Sequence, residues 1–125
     1  MIKFAVIGAG HIGKRHAEMI QRHPEAQLAA ICDVRSKEEV GLSDSDTPFF
    51  SSAQEMLSSG VESDVVCICS PNGLHAEHSL LALENGKHIV CEKPMALSKA
   101  DCESIIYKAL QMHKNVFCVM QNRYS

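Results

Sequence analysis

The run Ile2-Lys3-Phe4-Ala5-Val6-Ile7-Gly8-Ala9-Gly10-His11-Ile12-Gly13 begins as an apolar strand and breaks into three glycines spaced G-x-G-x-x-G. Behind it Ile12, His16, Met19 and Ile20 recur at helical spacing, and Asp33, the only acid of the next strand-like segment, follows Gly13 by twenty positions. Each part has its own physical reason. Gly8 lets the chain turn tightly off the strand, Gly10 removes a side chain so that backbone N–H groups reach a pyrophosphate, and Gly13 lets the helix lie close to the strand. The helix starting near His11 aims its positive end at the phosphates, with His11 and Ile12 contributing backbone, and the Asp33 carboxylate can accept both hydroxyls of an adenosine ribose. The pattern predicts a dinucleotide site. Asp33 favours NAD over NADP, since a carboxylate repels a 2′-phosphate, while Arg35 two residues on leaves some room for NADP. A methyltransferase, which also sets an acid against a ribose, is the main alternative.

Working outward, strand candidates recur at 2–7, 27–32, 48–50, 65–69, 88–91 and 116–120, with helical patterns at 11–22, 52–59, 74–85 and 98–113. Val65-Val66-Cys67-Ile68-Cys69 is apolar at every position, which calls for burial on both faces and hence a parallel sheet covered by helices. Ser98 with Asp101 reads as a helix N-cap, and Asn85-Gly86 as a helix end. The segment 34–47, rich in Ser and Asp, reads as a loop or short irregular helix in place of the second crossover. The expectation is an α/β, Rossmann-type doubly wound parallel sheet of about six strands in the order 3-2-1-4-5-6, with its ligand crevice at the carboxyl ends of strands 1 and 4. Polar residues gather at those strand ends: Ser70-Pro71-Asn72 with His75, Glu92-Lys93-Pro94, and Gln121-Asn122-Arg123.

The 125 residues, 46% of them hydrophobic, suffice for one core, so residues 1–125 are read as a single domain. A net charge of -3 provides no basic stripe for nucleic acid, and no apolar run approaches the roughly 20 residues of a membrane span. The N-terminus starts a strand with no basic region before an apolar stretch, so a cytoplasmic protein is expected. Cys32, Cys67, Cys69, Cys91 and Cys118 lie within apolar runs and read as buried small hydrophobes. The C-x-C of Cys67 and Cys69 lacks a second ligand pair, and no metal site is expected.

Cys69-Ser70-Pro71-Asn72, His75-Ala76-Glu77 and Ala82-Leu83-Glu84-Asn85-Gly86-Lys87-His88-Ile89-Val90-Cys91-Glu92-Lys93-Pro94 together resemble the signature of the Gfo/Idh/MocA family, the glucose-fructose oxidoreductases and inositol dehydrogenases. The resemblance covers essentially the whole chain, and Glu92-Lys93-Pro94 is its most specific part. It implies an NAD-binding domain followed by a larger α+β domain for substrate and dimerisation, absent from this chain, in a homo-oligomer that oxidises a secondary alcohol of a sugar, nucleotide-sugar or cyclitol. It further implies that Lys93 is the active-site lysine and that Glu92 contacts the nicotinamide ribose or orders Lys93. By the same resemblance Ser70, Asn72 and His75 lie along the cofactor, while Gln121 and Asn122 approach the nicotinamide. The ending Gln121-Asn122-Arg123-Tyr124 resembles members that oxidise nucleotide-linked hexuronic acids.

In such chemistry the cofactor accepts a hydride and Lys93 takes the hydroxyl proton. That requires its pKa to fall from about 10.4, which desolvation and a positive nicotinamide ring favour and a close Glu92 opposes. The plainer readings are a solvated loop lysine at Lys93, an ion pair with Lys93 at Glu92, a capping or surface histidine at His75 and a turn residue at Asp33. His16, His23, His78, His88 and His113 share no spacing that implies a site and are read as structural or exposed. A non-enzymatic NAD-responsive module is the alternative from another class.

Overall fold

The computed structural model describes residues 1–92 and 95–119; the expectations for Lys93, Pro94, Gln121, Asn122, Arg123 and Tyr124 lie outside the described residues. Strands β1 (Ile2–Ile7), β2 (Ala26–Cys32), β3 (Phe49–Phe50), β4 (Val65–Ile68), β5 (His88–Glu92) and β6 (Val116–Val119) form one sheet in the order β3-β2-β1-β4-β5-β6. Every pairing is parallel. Helices α1 (His11–Arg22), α2 (Ala53–Ser58), α3 (His75–Glu84) and α4 (Lys99–Met112) alternate with the strands, and a 3-10 turn over Asn72–Leu74 precedes α3. This is the doubly wound order read from the sequence.

The continuous apolar strands supply two cores because successive side chains point to opposite faces. Ala5, Ile7, Val66, Ile68, Ile89 and Cys91 pack with Met56, Leu83 and Ile105 of α2, α3 and α4 on one face. Val6, Ile31 and Cys67 pack with Ala17 and Ile20 of α1 on the other. The segment 34–47 forms turns with no regular helix or strand, closed by the Val40 N–H to Ser36 O bond of 3.2 Å and the Leu42 N–H to Lys37 O bond of 2.9 Å. Val40 is buried and Leu42 packs beside it on the α1 face, so this loop covers the sheet where a crossover helix would.

Two apolar positions depart from expectation. Met19 is 65% exposed, because the inward stripe of α1 is Gly13, Ala17 and Ile20 and the residue beside Ile20 is turned about 100° away. Cys118 is exposed because β6 is an edge strand paired only with β5; Cys32, Cys67 and Cys91 are buried as expected and Cys69 partly so. The caps behave as the sequence suggests: Ser98 Oγ accepts the Asp101 N–H at 3.1 Å, and Asn85 closes α3 with Gly86 following at φ 77°. Among the described residues no helix is long and apolar enough to cross a membrane.

Candidate functional site

The end of β1 turns at Gly8, whose φ of 97° lies in the region side chains avoid. The turn also runs against the end of β4, since a Cβ on Gly8 would stand 2.7 Å from the carbonyl of Cys69 and the nitrogen of Ser70. A Cβ on Gly13 would fall inside the Gly8 carbonyl, so α1 can lie this close to β1 only with glycine there. Gly10 differs from both. Its φ is -75°, and a Cβ there would meet only the Arg35 Nη2 at 3.7 Å. Neither torsion nor packing demands glycine at position 10; what its missing side chain leaves is a cradle beside the first turn of α1.

That first turn carries no side-chain cap and no acid. Its N–H groups, which no helical carbonyl can reach, therefore face the cradle with the positive end of the helix behind them. The donor set fits an anionic group such as a pyrophosphate.

Asp33 stands directly after β2 and is 8% exposed. One carboxylate oxygen accepts the Ala9 N–H at 2.7 Å, which anchors the glycine loop to β2. The other accepts the Arg35 N–H at 2.8 Å, and the Arg35 guanidinium closes over both oxygens at 3.0 and 3.1 Å. Burial alone would push the carboxyl up, but the Arg35 guanidinium and the two backbone N–H groups outweigh it and hold the group below the usual carboxylate range. Asp33 is thus a turn-forming residue, as the plainer reading had it, and it also lines the neighbouring crevice. A ribose reaching its oxygens must displace Arg35.

Between these groups and the β4–α3 loop lies a crevice of about 340 Å³, walled by Gly8, Asp33, Arg35, Ser70, Leu74 and His78. Ser70 is buried and its Oγ lies 2.7 Å from His78 Nδ1. Burial pushes the His78 pKa down, against a smaller opposite effect of Glu77. His75 is 3% exposed, and its Nε2–H donates to the Ser70 carbonyl at 2.7 Å. It is therefore neither a surface nor a capping histidine; it pins the loop whose Asn72 is exposed along the crevice edge. Burial raises the thiol of Cys69 and pushes those of Cys32, Cys67 and Cys91 up to about 12, so none is a thiolate nucleophile.

Two strands from β1, Glu92 closes β5, and its Oε1 accepts from His16 Nε2 at 3.0 Å, with both side chains mostly buried. The sequence reading set His16 aside for lack of a spaced partner. A signal was there: His16 is the one polar member of the apolar stripe read behind the glycines. Of the expected site residues, Gly8, Asp33 and Ser70 line the crevice, Gly10, His11, Ile12 and Gly13 form the turn and helix start that continue from Gly8, and Glu92 ends β5, two strands from β1. No three His, Cys, Asp or Glu side chains converge as a metal site among the described residues.

Residues 2–120 match a family model described as the oxidoreductase family with an NAD-binding Rossmann fold. The chain belongs to the Gfo/Idh/MocA oxidoreductases. Among members of that family, D-glucoside 3-dehydrogenase of Escherichia coli is 33% identical over 99% of this chain and 36% of its own length. A scyllo-inositol 2-dehydrogenase (NADP(+)) of Bacillus subtilis is 38% identical over 87% of this chain and 34% of its own length. The WlbA dehydrogenase of Bordetella pertussis, solved with NADH and UDP-GlcNAcA, superposes with a TM-score of 0.86 at 30% identity, covering 94% of this chain and 34% of that one. The chain thus spans about a third of the length of these relatives. It is a Gfo/Idh/MocA Rossmann domain, and family membership together with the all-parallel sheet sets aside the methyltransferase alternative.

Proposed function

We propose that this chain is the cofactor-binding domain of an NAD-dependent dehydrogenase that oxidises a secondary alcohol of a sugar, nucleotide-sugar or cyclitol, completed by a second domain that holds the substrate. The observation that carries the reading is Gly10: a glycine that packing does not need, at the uncapped start of α1, with Asp33 at the end of the neighbouring strand. Support for the substrate class comes from relatives named for glucoside and inositol oxidation.

When bound, the dinucleotide supplies the hydride acceptor. The N–H groups of the Gly10–Gly13 turn hold the pyrophosphate, and Asp33 takes the adenosine ribose once Arg35 swings aside. Ser70, Asn72, His75 and Gln121 line the cofactor's length. Glu92 meets the distal ribose. Lys93, as the neutral amine, takes the proton of the substrate hydroxyl on Nζ and becomes the ammonium as the C–H pair leaves as hydride. NAD is preferred because a 2′-phosphate would sit beside the Asp33 carboxylate, and Arg35 moderates that preference. The setting is the cytoplasm.

Calorimetric titration of this chain with NADH and NADPH tests the cofactor assignment: NADH should bind more tightly, and equal affinities would defeat the NAD preference. In a longer protein carrying the substrate domain, Lys93→Ala should leave NADH affinity within a few fold and abolish turnover. Retention of most of kcat would remove Lys93 from the chemistry.

A further inference from the structure

His16 lies on α1 one position before buried Ala17, and it reaches Glu92 at the end of β5, 76 residues away in the chain. The bond ties the helix that starts at the glycine turn to the strand that leads into Lys93. His16 lines a groove of about 320 Å³ whose walls are mostly apolar, Phe4, Met19, Cys67 and Val90 among them, with His23 and Glu25 also on its wall. The pair is mostly buried, and replacing a buried pair with apolar side chains is often neutral or stabilising, so packing alone does not call for a histidine here. What the imidazole gains is a hold on Glu92. The other titratable groups acting near Glu92 are the thiols of Cys69 and Cys91, both kept protonated by burial, so among the described residues His16 is the group that grips this carboxylate.

We infer that His16 is a positioning residue for the ribose at the nicotinamide end of the cofactor: its Nε2–H fixes the Glu92 carboxylate so that the ribose meets a pre-oriented acceptor. The inference rests on the reading above that Glu92 meets that ribose. A free glutamate must order its rotamers on binding, and holding it beforehand improves affinity roughly three- to ten-fold.

The test uses three ligands on this chain. ADP ends at the pyrophosphate, ADP-ribose adds the distal ribose, and NADH adds the nicotinamide. By calorimetry, His16→Ala should leave ADP within ~2-fold while weakening ADP-ribose and NADH by roughly three- to ten-fold. His16→Gln, which keeps an N–H donor of similar reach, should recover most of the loss. In a Glu92→Gln background, His16→Ala should cost nothing further, because the histidine acts through the carboxylate. Equal weakening of all three ligands would mean that α1 has merely shifted, and unchanged ADP-ribose binding would mean that His16 does not serve the ribose; either overturns the inference. If the unmodified chain binds none of the three, the cofactor reading itself falls, and if it binds ADP-ribose no better than ADP, the ribose role of Glu92 falls first.

Discussion

Two carboxylates stand at strand ends on either side of β1, and they are held in opposite ways. Asp33 is gripped locally, by Arg35 two residues on and by the N–H of Ala9, with four hydrogen bonds over its two oxygens. Glu92 is gripped at long range, through Oε1, by a histidine on another element. The first arrangement belongs to the turn and forms as soon as β2 meets the glycine loop. The second exists only when α1 is docked across the sheet. A local clamp makes a fixed acid whose ligand must compete with arginine, whereas a tertiary clamp makes an acid whose geometry reports on the seating of α1.

The largest effect should come from Gly13→Ala, which breaks the tertiary clamp. The added Cβ collides with the Gly8 carbonyl and forces α1 off the strand, so about 3 kcal/mol of stability should be lost together with measurable NADH binding. Urea unfolding checks this; a loss under about 1 kcal/mol would mean that α1 is seated loosely. Asp33→Ala should cost about 2 kcal/mol by stranding the Ala9 N–H, and it should narrow the gap between NADH and NADPH. If stability falls and the gap stays, the clamp is structural alone. Arg35→Ala sharpens the comparison from the other side: Asp33 loses its competitor and a 2′-phosphate loses its cation, so NADPH should weaken by roughly ten-fold relative to NADH.

The smallest effect concerns His78 on the crevice wall. Its pKa in the folded chain lies below the ordinary 6.5 because burial disfavours the imidazolium. The unfolded chain therefore takes up a proton before the folded one does, so this contribution to stability is complete above the ordinary value and is lost as pH falls through the folded pKa. His78→Gln should flatten the fall of the unfolding midpoint below about pH 6.5. A slope as steep as that of the unmodified chain would place the titrating group elsewhere.

The sheet was legible almost strand by strand, since Gly8, Gly10, Gly13 and the all-apolar β4 signal topology through local pattern. The Asp33–Arg35 contact was within reach for the same reason, as the partners are two residues apart. Nothing local connects His16 to Glu92, and nothing local separates the buried Cys91 from the exposed Cys118, whose difference is that β5 has two neighbours and β6 one. Met19 failed similarly: helical spacing locates a stripe to within a residue, and tertiary contact chose Ala17 and Ile20.

The bare start of α1 has a consequence for the life of the molecule. Two other helices finish their first turn with a serine of their own, Ser52 and Ser98, whereas no side chain caps α1, so an anion bound at that turn would supply the missing acceptor. A ligand that binds there only in the folded chain, present at about a hundred times its Kd, would add roughly 2.7 kcal/mol to the folded state. On the proposed reading, a chain loaded with dinucleotide should therefore resist proteolysis better than an empty one.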